Sequence, residues 1–371
     1  MPRKKTIMLL VTHQCNLHCS YCYESHKDCV TMTAKQAEQY ISSIVGSLDS
    51  FYTEFEVQFM GGEPLLQFNL IREVSEWLWK ESFPLPLTVV FAPTNGTLLN
   101  EEMKKWFSLN KEKVCLGLSF DGNRLMQNIN RSNSSPLVDL DYFLKTWPNQ
   151  SVKMTISPET VQMLYDGVVF LHEKGFRHIT TDLAMGNNVK WENQHLCAFE
   201  EQLDKLGEYY LSHPELQRFS MLNLCVEDLF QPHYSLKKCG CGEDLVCIDT
   251  DGVQYACHLF SPISASKEEA ETSLSIDFNN HQEFISNECQ ECILYPICTS
   301  CYGMNFLCYG DVSKQSAFTC QAFKIQFYAN CKLLYECAQS NNDKQTILLI
   351  DKIITEIEGN YGKDTVENSK I

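Results

Sequence analysis

The chain is poor in positive charge: 30 Lys and Arg stand against 47 Asp and Glu, a formal net charge of −17. A groove that tracks phosphates, or a face that settles on an anionic membrane, needs clustered cations. Nucleic acid and membrane surfaces are therefore excluded as expected partners. No apolar stretch is long enough to span a bilayer. The opening Met1-Pro-Arg-Lys-Lys5 has the charge of a signal-peptide start, but the apolar run at 7–11 behind it is too short and lacks a cleavage site. The expectation is a soluble, cytoplasmic protein. Low-complexity segments are also lacking. Cysteine, by contrast, is abundant: 19 residues, gathered near the start and between Cys239 and Cys337. Secreted disulfide scaffolds are usually much shorter, so thiols in this number and size of chain point to metal binding in a reducing compartment.

Up to about residue 212, strand-like and helix-like segments alternate. Six short apolar runs, at 6–11, 55–60, 87–92, 114–120, 151–156 and 178–184, predict strands. Between them Ala37, Tyr40, Ile41, Ile44, Val45 and Leu48 recur at helical spacing behind a Thr33-x-x-Gln36 capping box, and further helices are predicted near 68–80, 100–109, 136–146, 160–174 and 193–212. Six successive βα units imply parallel strands with right-handed crossovers, hence an α/β fold built as an open or partial (β/α)6 barrel of TIM type, with chemistry at the strand ends. Beyond about residue 238 helical periodicity fades and cysteines come in pairs among Gly and turn residues. The predicted organisation is a barrel over 1–212, a bridging segment over 213–238, a cysteine-rich metal module over 239–330 and a helical tail over 331–371. In the tail Leu348, Leu349, Ile353 and Ile357 form an apolar face, and the final dozen residues look frayed.

Behind the first strand stands Cys15-x3-Cys19-x2-Cys22, with Tyr21 before the last cysteine. Three closely spaced thiolates can hold three irons of a [4Fe–4S] cluster and leave the fourth open. A zinc or redox-sensing loop could use the same thiols, but it does not account for their place at the end of the first strand of a βα series. The second strand ends in Gly61-Gly62-Glu63-Pro64, where glycines admit a close backbone approach and a carboxylate can balance an ammonium. Thr94-Asn95-Gly96-Thr97 follows the third strand, Ser119-Phe-Asp121-Gly122 the fourth, and Asn128-Ile-Asn-Arg131 comes next. Each of these is also what a polar turn looks like.

In order and placement the set resembles the radical S-adenosylmethionine enzymes. The resemblance implies that Cys15, Cys19 and Cys22 hold the cluster whose open iron chelates S-adenosylmethionine (AdoMet), which one electron cleaves to a 5′-deoxyadenosyl radical that abstracts hydrogen from substrate. It further implies cofactor contacts from Gly61, Gly62, Glu63, Pro64, Thr94, Asn95, Asp121 and Asn128, with Ser119 at the ribose and Arg131 at the carboxylate.

The later cysteines resemble the SPASM extension of this superfamily. Cys241 precedes Gly252-x4-Cys257, then Cys289-x2-Cys292-x5-Cys298-x2-Cys301 follows and Cys320 closes the set. The departure is Cys298-x2-Cys301, where the extension usually has three intervening residues. With Cys239 there are eight thiols, enough for two further [4Fe–4S] clusters and three in all. The resemblance assigns Cys239, Cys241, Cys257 and Cys301 to one auxiliary cluster and Cys289, Cys292, Cys298 and Cys320 to the other. A zinc ribbon suits the same thiolate pairs, and a zinc-binding interaction protein without catalysis is the reading of another class. Cys247 and Cys308 are the spare thiols nearest to being recruited.

SPASM-bearing enzymes mostly act on peptides or proteins. The resemblance therefore implies a peptide or protein substrate, a reductant such as flavodoxin or ferredoxin, and maturation of a ribosomally made peptide, with a thioether crosslink as one outcome. Sulfatase maturases oxidise Cys or Ser to formylglycine and carry an Asp directly after the Gly-x4-Cys cysteine; here His258 stands there, a residue able to take a proton near neutral pH or merely to flank the cluster. The leader-gripping domain of many peptide maturases has no counterpart before the first strand, so a peptide is expected either to pair with an exposed barrel edge or to be delivered by a separate protein.

Overall fold

A strand apolar at every position reads as one buried on both faces, and the run at 7–11 has that form. The computed structural model describes residues 3–230 and 239–361. Its elements are β1 (Arg3–Thr12), α1 (Ala34–Ser47), β2 (Tyr52–Gly61), α2 (Phe68–Leu78), β3 (Leu87–Thr94), α3 (Glu101–Leu109), β4 (Val114–Leu118), α4 (Arg124–Asn130), α5 (Leu140–Thr146), β5 (Val152–Ile156), α6 (Leu164–Lys174), β6 (Ile179–Leu183) and α7 (Asn193–Ser212). After the bridging segment come β7 (Leu245–Ile248), β8 (Gln254–Tyr255), α8 (Lys267–Ser273), α9 (Asn287–Gln290), α10 (Tyr302–Tyr309), α11 (Ala317–Ser340) and α12 (Lys344–Tyr361). The part of the bridging segment at 231–238 and the tail at 362–371, expected to fray, lie outside the described residues.

The six expected strands are present and parallel, but they do not form one wall. β4, β3, β2 and β1 lie side by side in the main sheet, while β5 and β6 pair separately. Among the described residues the two parts are joined by an isolated backbone bridge between Ser119 and Lys153, where the Phe120 N–H donates to the Lys153 carbonyl at 2.8 Å. The described strands thus make a mixed α/β fold with no closed barrel.

The free edge of β1 is covered from the cysteine-rich region: β7 pairs with it in parallel from Thr6–Leu245 to Leu9–Ile248, and β8 adds antiparallel beyond. β1 consequently has apolar residues on both faces. Ile7, Leu9 and Val11 enter the core under the helices, whereas Met8 and Leu10 enter a second core with Phe260, Ile263 and Phe306. The capping box expected at α1 forms, with Thr33 accepting from the Gln36 N–H and Gln36 answering to the Thr33 N–H. In α12, Ile353 and Ile357 are buried but Leu348 stays exposed. No described helix is long and apolar enough to cross a membrane.

Candidate active site

Gly61 and Gly62 are where two loops press together. Gly61 has φ +141°, and a Cβ there would sit 2.0 Å from the Thr12 carbonyl; one on Gly62 would meet the Gln14 carbonyl at 2.3 Å and Cys15 Cβ at 2.9 Å. The N–H groups of Gly62 and Glu63 donate to the Thr12 and Gln14 carbonyls at 3.1 and 2.8 Å. The glycines thus bring the end of β2 against the backbone of the cysteine loop.

Glu63, buried behind them, gathers the next strand end. Its carboxylate accepts from the Leu65 N–H (3.1 Å), the Thr94 hydroxyl (2.7 Å) and the Asn95 N–H (2.8 Å). Burial pushes its pKa up to about 6 against the opposing pull of those donors and of Arg131. The Asn95 amide in turn donates to Asn16 at 2.9 Å, tying β3 to the cysteine loop.

At the third corner Asp121 is wholly buried. Its carboxylate accepts from the Thr155 N–H (2.8 Å), the Tyr21 hydroxyl (2.6 Å) and the Asn130 amide (3.1 Å), and Arg131 Nε lies 3.0 Å away, off the hydrogen-bond axis but ion-paired. Burial works against the charge on Arg131, and Asp121 more than reverses it, raising the guanidinium pKa. Arg131 also stands over the Tyr21 ring, 5.5 Å from its centre.

These corners enclose a cavity of about 360 Å³. Cys15, Cys19 and Cys22 line it together with Gly61–Pro64, Thr94, Asn95, Ser119 and Arg131, and from the cysteine-rich region His258 and Cys301 complete it. Asp121 and Asn128, expected beside them, do not line it: Asp121 stands behind Arg131, and the Asn128 side chain accepts from the Ser135 N–H, closing a turn. The three thiols are free and partly exposed, and burial pushes Cys19 up to about 11. Among the described residues no three Cys, His, Asp or Glu side chains close up as a single metal ion would need; these thiols stand around a shared space.

A family model described as a 4Fe-4S single cluster domain matches residues 5–136. The radical SAM cyclopropyl synthase TigE of Paramaledivibacter caminithermalis is 23% identical over 350 residues, 86% of this chain and 72% of that one. A cysteine-type anaerobic sulfatase-maturating enzyme of Clostridium perfringens is 21% identical over 345 residues, covering 80% and 88%. The chain is similar to these two enzymes over most of its length. Its fold is also that of the solved structure of native anSMEcpe with bound AdoMet and Cp18Cys peptide, at TM-score 0.65 and 18% identity over 95% of this chain and all of that one.

The remaining expected thiols fall into two neighbourhoods. The Cys241 thiol hydrogen-bonds with Cys239 and Cys257, and Cys301, pushed up to about 12 by burial, interacts with Cys257 and Cys239. Farther along, Cys298 interacts with Cys320, Cys292 and Cys289, and burial pushes it up to about 11. The short Cys298-x2-Cys301 spacing thus straddles the two groups. Cys247 is fully buried on β7 in the second core.

His258 is half-buried on the cavity wall, and desolvation pushes it down to about 4. Its Nε2 meets the Tyr23 hydroxyl at 3.1 Å, while Nδ1 has no partner. Tyr23, Glu24 and Lys27 line the cavity without having been singled out in the sequence. They follow Cys22 directly, yet nothing in their own spacing distinguishes them from ordinary loop residues. Burial pushes Glu24 up to about 7.

Proposed function

We propose that this enzyme matures a cysteine-bearing peptide by radical AdoMet chemistry, forming a thioether crosslink. The observation that carries the reading is one cavity that joins Cys15, Cys19 and Cys22 to the strand-end motifs on one side and to Cys301 and His258 on the other. TigE and anSMEcpe support the reaction class, and the Cp18Cys peptide in anSMEcpe supports a peptide ligand.

Cys15, Cys19 and Cys22 hold a [4Fe–4S] cluster; the other two thiol neighbourhoods hold an auxiliary cluster each, three in total. When bound, the first cluster and AdoMet supply an adenosyl radical that takes a hydrogen atom from the substrate. Glu63 and the Gly61–Pro64 backbone receive the ammonium of AdoMet, Arg131 its carboxylate and Ser119 its ribose. Asp121 holds Arg131 and Tyr21 in place from behind, and Asn128 fixes the turn that follows. His258, neutral and with a free Nδ1, would take the substrate thiol proton, and the one electron released as the carbon–sulfur bond forms would pass to an auxiliary cluster when bound.

The two sheets serve as the wall of a partial barrel with the AdoMet site in residues 1–212. Residues 239–330 form the auxiliary region, linked by 213–238, and the described part of the tail from 331 onward is helical. Electrons come from a flavodoxin- or ferredoxin-type protein.

Anaerobically reconstituted enzyme with reductant and AdoMet is expected to release deoxyadenosine, and the triple variant Cys15→Ala, Cys19→Ala, Cys22→Ala is expected to release none. Persistent release in that variant would sink the proposal. Mass spectrometry of a co-expressed cysteine peptide should show loss of two hydrogen atoms; formylglycine in its place would assign a sulfatase-maturase reaction.

A further inference from the structure

The ammonium of Lys27 lies 3.2 Å from Cys22 Sγ. It is half-buried on the cavity wall and interacts through space with Cys15 and Glu24, but no ion pair joins it to Glu24 among the described residues. Its backbone is fixed on both sides. The Val30 carbonyl accepts from the His13 N–H at 3.2 Å, and the His26 N–H reaches across to the Ile263 carbonyl at 3.0 Å. Ser25 Oγ donates to the Ser264 carbonyl at 3.4 Å. A segment tied to both the strand end and the cysteine-rich region holds this cation against one thiol.

We propose that Lys27 is a positioning residue that raises the reduction potential of the cluster held by Cys15, Cys19 and Cys22. The inference rests on the cluster assignment made above. One-electron reduction adds one negative charge to the cluster and moves no proton. Hydrogen bonds to ligand sulfurs and nearby charge are among the protein's main controls on such potentials. A donor that also carries a full positive charge in a partly desolvated site favours the reduced state on both counts. The segment from Ser25 to Lys27 hangs from Ile263 and Ser264, so the cysteine-rich region sets the distance from this ammonium to sulfur.

The test is an anaerobic redox titration of the reconstituted full chain, with iron and sulfide quantified first. The electron paramagnetic resonance signal that changes when AdoMet is added is followed. Lys27→Met should lower the ratio of reduced to oxidised cluster at a fixed poise about tenfold, 59 mV for a one-electron couple. Lys27→Arg, which keeps donor and charge, should stay near the wild type. Equal midpoint potentials in wild type and Lys27→Met at full iron content would overturn the proposal. So would weakened AdoMet binding with an unchanged potential, which would make Lys27 a cofactor ligand. If Lys27→Met loses iron, Lys27→Gln takes its place, keeping a donor without the charge, and an unchanged potential there overturns the proposal too. A wild-type protein with no AdoMet-responsive signal would defeat the cluster assignment itself, a result distinct from a cluster whose potential ignores Lys27.

Discussion

Asp121 and Arg131 show how a residue type can be read correctly and its direction missed. Both stand in segments that the sequence marked as cofactor-facing, yet only Arg131 lines the cavity, and Asp121 spends its carboxylate on Tyr21, Asn130, Thr155 and Arg131. Spacing places a residue at a strand end; whether it points into a cavity or behind its wall depends on partners distant in sequence. Removing one member of a buried ion pair strands the other charge, at a cost of about 3–5 kcal/mol. Asp121→Ala should lose stability of that order in denaturant unfolding, and in AdoMet titrations it should bind more weakly because Arg131 is released.

His172 offers a pH test away from the thiols. Its ring nitrogens meet the Phe176 carbonyl at 3.1 Å and the Tyr210 hydroxyl at 2.9 Å, and burial lowers its pKa despite the carbonyl. The folded state therefore binds a proton less readily than the unfolded chain. Its stabilising effect is fully present above the ordinary histidine value near 6.5 and is lost as pH falls below it. The Tm should drop as pH falls below about 6.5, and His172→Gln should flatten that part of the profile.

At the scale of elements, the βα rhythm was legible because β1 to β6 and their helices each bury one stripe or one short run. α11 escaped for a physical reason. It packs Ala322 and Leu333 into the main core and Phe323, Phe327 and Cys331 against Ile350 and Ile353 of α12, so apolar residues lie on more than one face and no single period stands out. β7 and β8 escaped because four- and two-residue strands fall below any pattern threshold.

The loop between β6 and α7 is another element defined by remote partners. Trp191 stacks on Phe318 of α11 at 4.6 Å and donates to the Ala184 carbonyl at 2.8 Å, while the Asn188 and Asn187 side chains reach the Ser20 and Leu307 carbonyls at 3.3 Å. Ala184 and Met185 on this loop line the cavity. Trp191→Ala should cost about 3 kcal/mol and raise hydrogen exchange over 184–191, with the β-strands still protected.

For the whole molecule, the cysteine-rich region was expected as a module appended to a barrel. It is instead continuous with the sheet: β7 completes β1, and Met8 and Leu10 are core residues only in its presence. The sequence shows the cysteines because their spacing is local, but it could not show this pairing between residues more than two hundred positions apart. A chain ending after residue 230 should expose an apolar strand edge. Size-exclusion chromatography is expected to find it aggregated, while the full chain elutes as a defined species; a well-behaved truncated protein would contradict the shared sheet.

That pairing also sets a schedule for synthesis. Thr6 meets Leu245, so a chain growing at roughly 5–20 residues per second carries β1 with one bare edge for about 10–50 s after it is made. During that interval the three thiols we assign to the cluster sit at the end of an unfinished strand, which makes the nascent chain, more than the finished protein, the form most in need of a chaperone and of shelter from oxygen.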